Sequence, residues 1–404
     1  MNQQPLDVIH FPLLGNSLAI GVVSLLHIAF ASLAVGFMIL APIAEAFGTS
    51  RMFYTDMAHT LTRATVITYT TSLVLAVMMI ELFIGLFPLT NAWLFNQFRF
   101  PVFLAIAAFF AQLLLLYPYY HYWEAIRAKR PRLHIAMGGA AGVLMLVWVA
   151  MLDGIGSYML TPVASDGRWT GLFNPTWVPL MIHRFFGNLV LAGYTIAGYG
   201  AWRLGRLHDP LDKAYYLHLF KTGLLIGLAA LLLQPVTGLL YAVTIQGAAP
   251  QAYAQVVKGP YQGLVYTQFS LIALLFVGTH ILLRTAAGDR SEHLWIERAL
   301  MLTAVLMVGS VGHPDFRRAF TFAAVALTCW SLYRWRGRLA SSDTPDWQRP
   351  FVRGLSLSLA VVALLTYLTM GTIRETARRP YTVQGIISLH EEADAPAAFT
   401  EGKR

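Results

Sequence analysis

The stretch "SLAIGVVSLLHIAFASLAVGFMIL", residues 17–40, decides the fold. It contains no Asp, Glu, Lys or Arg, and it is longer than the roughly 20 apolar residues a helix needs to cross a hydrocarbon core. Comparable runs recur along all 404 residues. The chain is 57% hydrophobic and only 12% charged, with a mean hydropathy of +0.57. Such a composition excludes an ordinary soluble domain. The expected fold is all-α, a polytopic transmembrane helix bundle that forms one membrane domain over 1–404. Its spans are expected near 17–47, 61–87, 99–126, 134–160, 178–204, 216–245, 263–284, 295–312, 318–335 and 354–374.

Charge placement supports a count of ten. The loops "RAKRPR" (127–132), "RLGRLHDPLDK" (203–213), "RTAAGDRSEH" (284–293) and "RWRGRLASSDTPDWQR" (334–349) carry most of the basic residues. The alternating loops near 88–98, 161–177 and 246–262 carry almost none. The positive-inside rule then puts the basic loops in the cytoplasm and the N-terminus outside. Keeping 334–349 inside requires two crossings between 295 and 335, and it leaves the exposed tail 381–404 outside. The formal net charge of +9 therefore reflects orientation in a lipid bilayer, and no nucleic-acid partner is expected. The opening "MNQQPLDVIHF" lacks a basic n-region and a cleavage site, so the first apolar segment reads as a retained helix. Cys329 is the single cysteine. An internal disulfide and a covalent C-x-x-C-H haem are both excluded.

An ionisable group within a membrane costs several kcal/mol unless it has a partner or a task. In the ten-span frame His27 lies a third to halfway into the first span. His183, in "FNPTWVPLMIHRFFGNLV" (173–190), opens the fifth, and Glu375 ends the tenth at "GTIRETARRPY" (371–381). All three lie towards the outer side. Each has a plain reading: a hydrogen-bonded histidine between helices, an interfacial residue beside Trp177 and Arg184, and a surface carboxylate in a mixed-charge tail. Jointly they have another. Neutral imidazole is a common axial ligand of haem iron, and Arg184 or Arg374 could neutralise propionates at the membrane surface. Pro235, in "LLLQPVTGLLY" (231–241), is expected to kink its helix. Tyr117, Tyr119, Tyr120 and Trp123 are expected to form an interfacial belt.

Four further spacings carry a resemblance. His27, Gly36 and Glu45 follow one another at intervals of nine. "SYMLTPVA" spans 157–164; Asn174 and Pro175 precede His183, with Ala201 and Trp202 beyond; Glu375, Arg378, Pro380 and Tyr381 close the set. In these motifs and their order the chain resembles subunit I of the cytochrome bd-type quinol oxidases, with 1–245 as the similar core and 246–380 as divergent helices plus the tail motif. The resemblance implies that His183 is the axial ligand of a low-spin haem b fed by quinol. It implies that His27 holds the helix-one haem at the oxygen-reducing end, and that Glu375 is the carboxylate ligand of a third haem, with Arg378 in the same motif. It also implies a bacterial cell (inner) membrane location and a second membrane subunit. Whether one haem is of the d type stays open.

Several positions depart from the family pattern. The two glutamates expected on the third helix are missing from "FPVFLAIAAFFAQLLLL" (100–116), where Gln112 or Ala105 stands in. Glu81 on the neighbouring span is then the candidate catalytic carboxylate, by a different route. The loop expected to bind quinol is the short "QGAAPQAYAQVVKGPYQG" (246–263), with Lys258 as its only charge. "YTQFSLIALLF" (266–276) has no methionine to face His183, and His280 lies too deep. Met307 and His313 are the candidates for that position. The expected function is quinol oxidation with electrons passed through haems to oxygen. Two alternatives remain: a haem b subunit linking quinol to a cytochrome without reducing oxygen, and a haem-free transporter using His27 and Glu81.

Overall fold

The computed structural model describes residues 11, 15–48, 52–164, 169–287, 294–340, 349–377, 381–383 and 387–388. Thirteen α-helices are described: α1 (Asn16–Gly48), α2 (Met52–Leu86), α3 (Pro88–Gln97), α4 (Arg99–His121), α5 (Trp123–Lys129), α6 (Pro131–Tyr158), α7 (Trp177–Leu204), α8 (Pro210–Ala248), α9 (Pro250–Val257), α10 (Gln262–Ala286), α11 (Leu294–Gly309), α12 (Pro314–Ala340) and α13 (Pro350–Ala377). One antiparallel pairing, Tyr381–Val383 with Ile387–Ser388, follows them. The ten expected spans all have a helical counterpart. Eight are long and apolar enough to cross a membrane; α11, at 16 residues, and the more polar α12 fall outside that set.

Local chemistry sets these boundaries. Helices α3, α6, α8, α9, α12 and α13 all start at a proline, whose missing N–H is no loss in the first turn and whose fixed φ suits a helix start. Asp209 caps α8, its Oδ1 accepting from the Leu211 N–H at 2.7 Å. Inside the apolar helices, hydroxyls bond back to the preceding turn: Thr62 to the Ala58 carbonyl at 2.8 Å, Ser356 to Val352 at 2.7 Å. This meets the demand that no polar group be left unsatisfied in lipid. Helix α8 runs on through Pro235.

The chain forms two compact units. The first comprises Met1–Met181, Thr244–Ala252 and Arg374–Arg404. In it α1 and α2 form an antiparallel hairpin closed by the Thr55 hydroxyl donating to the Gly48 carbonyl at 3.2 Å, and α6 packs on α1 and α4. Two glycines on α6 permit that approach. A Cβ at Gly138 would stand 2.7 Å from the Tyr119 ring, and one at Gly142 would stand 3.4 Å from the Met38 carbonyl.

The second unit comprises Ile182–Val243 and Tyr253–Ile373. Helices α7 and α8 meet there backbone to backbone: a Cβ on Gly193 would stand 2.5 Å from Cα of Gly227 and 2.8 Å from the Gly223 carbonyl. Gly223 and Gly227 have the four-residue spacing that lets membrane helices approach closely. Arg284 of α10 and Glu297 of α11 pair at 2.8 Å. Met307 packs against Ala273, Ala304 and Phe320 in an apolar cluster.

Candidate functional site

His27 sits on α1, half-buried against α2. Its Nδ1 lies 2.9 Å from the Ser72 carbonyl and 3.2 Å from the Ser72 hydroxyl. A carbonyl oxygen only accepts, so Nδ1 carries the proton. The ring is therefore fixed in the tautomer whose Nε2 has the lone pair.

His183 reaches the same state by other means. Its Nδ1 lies 3.1 Å from the Thr237 hydroxyl. That hydroxyl has its own acceptors in the Gln234 and Leu233 carbonyls at 3.2 and 3.4 Å, an arrangement that makes the imidazole the donor. The Gln234 amide anchors the His183 carbonyl at 3.0 Å. Gly238 clears space for the ring, since a Cβ there would stand 3.1 Å from Cε1. The geometry follows from the glycine contact of α7 with α8. Ten residues back from Gly193 is His183, and ten residues on from Gly227 is Thr237, so the antiparallel helices bring these two to one level. A haem ligand needs this arrangement: Nδ1–H committed to a protein acceptor and Nε2 basic.

The other expected site residues are placed less uniformly. Glu375 is exposed at the end of α13, and the neighbouring Arg374 guanidinium lies directly over Gly156 of α6. Arg184 is half-buried on α7. Arg378 lies outside the described residues. Met307 is fully buried in the α10–α11–α12 cluster, and His313 is exposed at the turn between α11 and α12 with its ring 6.3 Å from that of Phe316. The groups around the His183 ring come instead from α8: Thr237, Gly238 and Tyr241. Glu81 and Lys258 are exposed. His280 is buried, with Nδ1 3.2 Å from the Ser331 hydroxyl. Among the described residues no three His, Cys, Asp or Glu side chains converge as on a bare metal ion.

The segment before α7 is fastened by one side chain. The Asn174 amide donates to the carbonyls of Gly154 at 3.1 Å, Gly171 at 3.2 Å and Leu172 at 3.1 Å. Its oxygen accepts from Thr161 and Thr176, both at 3.3 Å. Trp177 adds a bond to the Ala150 carbonyl at 2.9 Å. The Asn-Pro pair and the "LTP" of 160–162 thus form one knot that fixes the start of α7.

Residues 17–308 match the family model described as cytochrome bd terminal oxidase subunit I. The chain belongs to that family. It is accordingly a multi-pass membrane subunit of a quinol oxidase, an oxidoreductase of the respiratory chain, from a family that binds haem. A solved structure, the bd oxidase from Geobacillus thermodenitrificans, has a similar fold, with a TM-score of 0.54 at 13% identity over 90% of this chain and 98% of that one. No curated protein matches.

Within this bd-family chain, two features of unit 1 stand apart from the expected pattern. Gln112 is fully buried on α4, its oxygen accepting from the Trp148 indole at 3.1 Å; Ala105 is buried on the same face. That face carries no carboxylate. Of the aromatics expected as a belt, Tyr117 and Tyr120 are half-buried, whereas Tyr119 and Trp123 are buried, because they enclose a carboxylate. Glu45 Oε2 accepts from the Tyr119 phenol at 2.8 Å, and Oε1 lies 2.6 Å from His134 Nδ1. The motif spacing marked Glu45, but nothing in the sequence paired it with His134.

Proposed function

We propose that this chain is the haem-carrying subunit I of a bd-type oxidase, passing electrons from a membrane quinol to oxygen. His183 would hold the haem b that receives electrons, His27 the haem nearer the oxygen-reducing end, and Glu375 a third. One observation carries the reading: on α1 and on α7 an imidazole meets a protein oxygen through Nδ1, from Ser72 at 2.9 Å and from Thr237 at 3.1 Å, which is the tautomer whose Nε2 suits the axial requirement of haem iron. When bound, haem supplies one-electron transfer and oxygen binding.

The chain's own residues do the remaining work. Ser72 and Thr237 hold the two rings in the ligating tautomer. The Asn174 knot fixes the start of α7. Arg374 and Arg184 supply positive charge suited to propionates. Oxidation of quinol at the outer side releases two protons and two electrons; reduction of one oxygen to two waters takes up four of each, with the protons drawn from the cytoplasmic side. A second membrane subunit, a bacterial cell membrane and an outward N-terminus complete the proposal.

A second reading has a specific observation behind it. With Gln112 and Ala105 on α4 where the family carries acids, the chain could pass electrons to a cytochrome without reducing oxygen. A reduced-plus-CO difference spectrum separates the two. The oxidase reading requires a CO-shifted haem band together with quinol-driven oxygen uptake. Reduced haems that leave the spectrum unmoved by CO contradict it and favour electron transfer.

A further inference from the structure

Oxygen reduction needs protons, and α4 carries no buried carboxylate to take them up. We propose that protons enter through the buried Glu45–His134–Tyr119 cluster and pass along the polar face of α2 towards His27. The inference rests on the oxidase reading above, which gives the protons a destination.

The cluster shares a proton by construction. His134 is fully buried, and its Nε2 lies 3.0 Å from the Tyr119 carbonyl. A carbonyl only accepts, so Nε2 keeps a hydrogen. The 2.6 Å contact between Nδ1 and Glu45 Oε1 then holds one more, either as imidazolium facing carboxylate or as imidazole facing carboxylic acid. The first arrangement leaves Glu45, 2% exposed, able to accept another proton. The groups packed on the pair are few. Arg127 of α5 stands 3.9 Å from Glu45 and donates to Thr55 at 2.9 Å; Trp123 sits edge-on to His134 and stacks with His59 of α2. Arg127 opens the basic loop 127–132, so the cluster lies at the end of unit 1 that the positive-inside rule assigns to the cytoplasm.

From the phenol of Tyr119 the polar groups continue up α2. Thr62, whose hydroxyl donates to the Ala58 carbonyl at 2.8 Å, lies beside the same phenol. Thr62, Thr65, Tyr69 and Ser72 are the polar members of the buried face of α2, at steps of three and four residues that put them on one stripe. Neighbours on such a stripe have β-carbons about 5–6 Å apart, so a transfer between them runs through hydroxyl rotation and a bridging water. The stripe rises about 15 Å and ends at Ser72, which contacts His27. Packing explains the threonines, each bonded to its own preceding turn. It does not explain Tyr69, whose buried hydroxyl has no hydrogen-bond partner.

The proton balance is simple. A proton from the aqueous side converts Glu45 carboxylate to acid while His134 stays imidazolium. The acid passes its proton to the Tyr119 oxygen as the phenol proton moves to Thr62, and successive hydroxyl transfers bring one proton to Ser72, which releases it to oxygen as that is reduced to water. Each group ends with the protons it began with.

The test uses the purified full-length protein and three variants, Glu45→Gln, Thr65→Val and Tyr69→Phe. A Soret band is checked first. Proton uptake on reduction is then followed with a pH-indicating dye, and reduced-minus-oxidised infrared spectra are recorded. Expected are unchanged visible spectra, uptake slowed tenfold or more in Thr65→Val and Tyr69→Phe, and loss of a carboxyl C=O signal in Glu45→Gln. Should Glu45→Gln fail to fold, Tyr69→Phe alone decides, because it removes only an unpartnered hydroxyl. A normal Soret band with wild-type uptake in Tyr69→Phe and Thr65→Val overturns the path and leaves the oxidase reading standing. Absence of any Soret band overturns both.

Discussion

Replacing Thr237 with valine probes the grip on His183 without touching the ligand. The two side chains have nearly the same shape, so the change removes a hydroxyl and little else. That hydroxyl accepts from Nδ1 at 3.1 Å while its own proton goes back to the Gln234 or Leu233 carbonyl, at 3.2 and 3.4 Å. Its loss strands a buried N–H donor, at a cost of about 1–3 kcal/mol. If that cost falls on the ligating tautomer, haem affinity drops roughly 5- to 150-fold, which spans the usual effect of removing a partner of a metal-bound histidine. The imidazole also becomes a poorer electron donor, so the midpoint potential of the b-type haem should rise. Thr237→Ser restores the hydroxyl and should restore both properties. The assay is haem b per polypeptide by pyridine haemochrome, with a redox titration of the α-band. Full occupancy and an unmoved potential in Thr237→Val would refute the assignment of His183 as a ligand oriented by α8.

Further expectations follow from packing. Gly193→Leu places a side chain into the α8 backbone at Gly227 and Gly223 and should lower the melting temperature in detergent, costing about 1–3 kcal/mol or more, with loss of the b-type signal as His183 and Thr237 separate. Gly139→Leu, facing open space on α6, should do neither; equal effects from the two would contradict the close approach of α7 and α8. Asn174→Ala leaves three carbonyls short of a donor and should cost about 1–3 kcal/mol, read as faster proteolysis around 161–177.

Helix placement was legible because it depends on apolar length alone. The first span, expected at 17–47, is Asn16–Gly48, and the fifth, expected at 178–204, is Trp177–Leu204. Short helices such as α3 and α9 were not, since 10 and 8 residues leave too weak a periodic signal. His27 and His183 stood out as ionisable groups in apolar runs. Their partners did not: Ser72 and Thr237 are 45 and 54 positions away, and a lone hydroxyl in a membrane helix is ordinary. Tyr119 read as an interfacial aromatic because its amphipathic ring suits that layer. Only the fold, which brings Glu45 to 2.6 Å from His134 across 89 positions, shows why it is buried. A signal was present in "GLLIG" (223–227), whose glycine spacing marks the close crossing that aligns His183 with Thr237.

The central claim is that His27 and His183 each hold a haem iron. It is tested most directly by haem extraction and pyridine haemochrome on the purified wild type beside His27→Ala and His183→Ala. The account predicts more than one haem per chain and the loss of a different single haem in each variant, the low-spin b-type band going with His183. Wild-type haem content and spectra in both variants, or a wild type without haem, would contradict it.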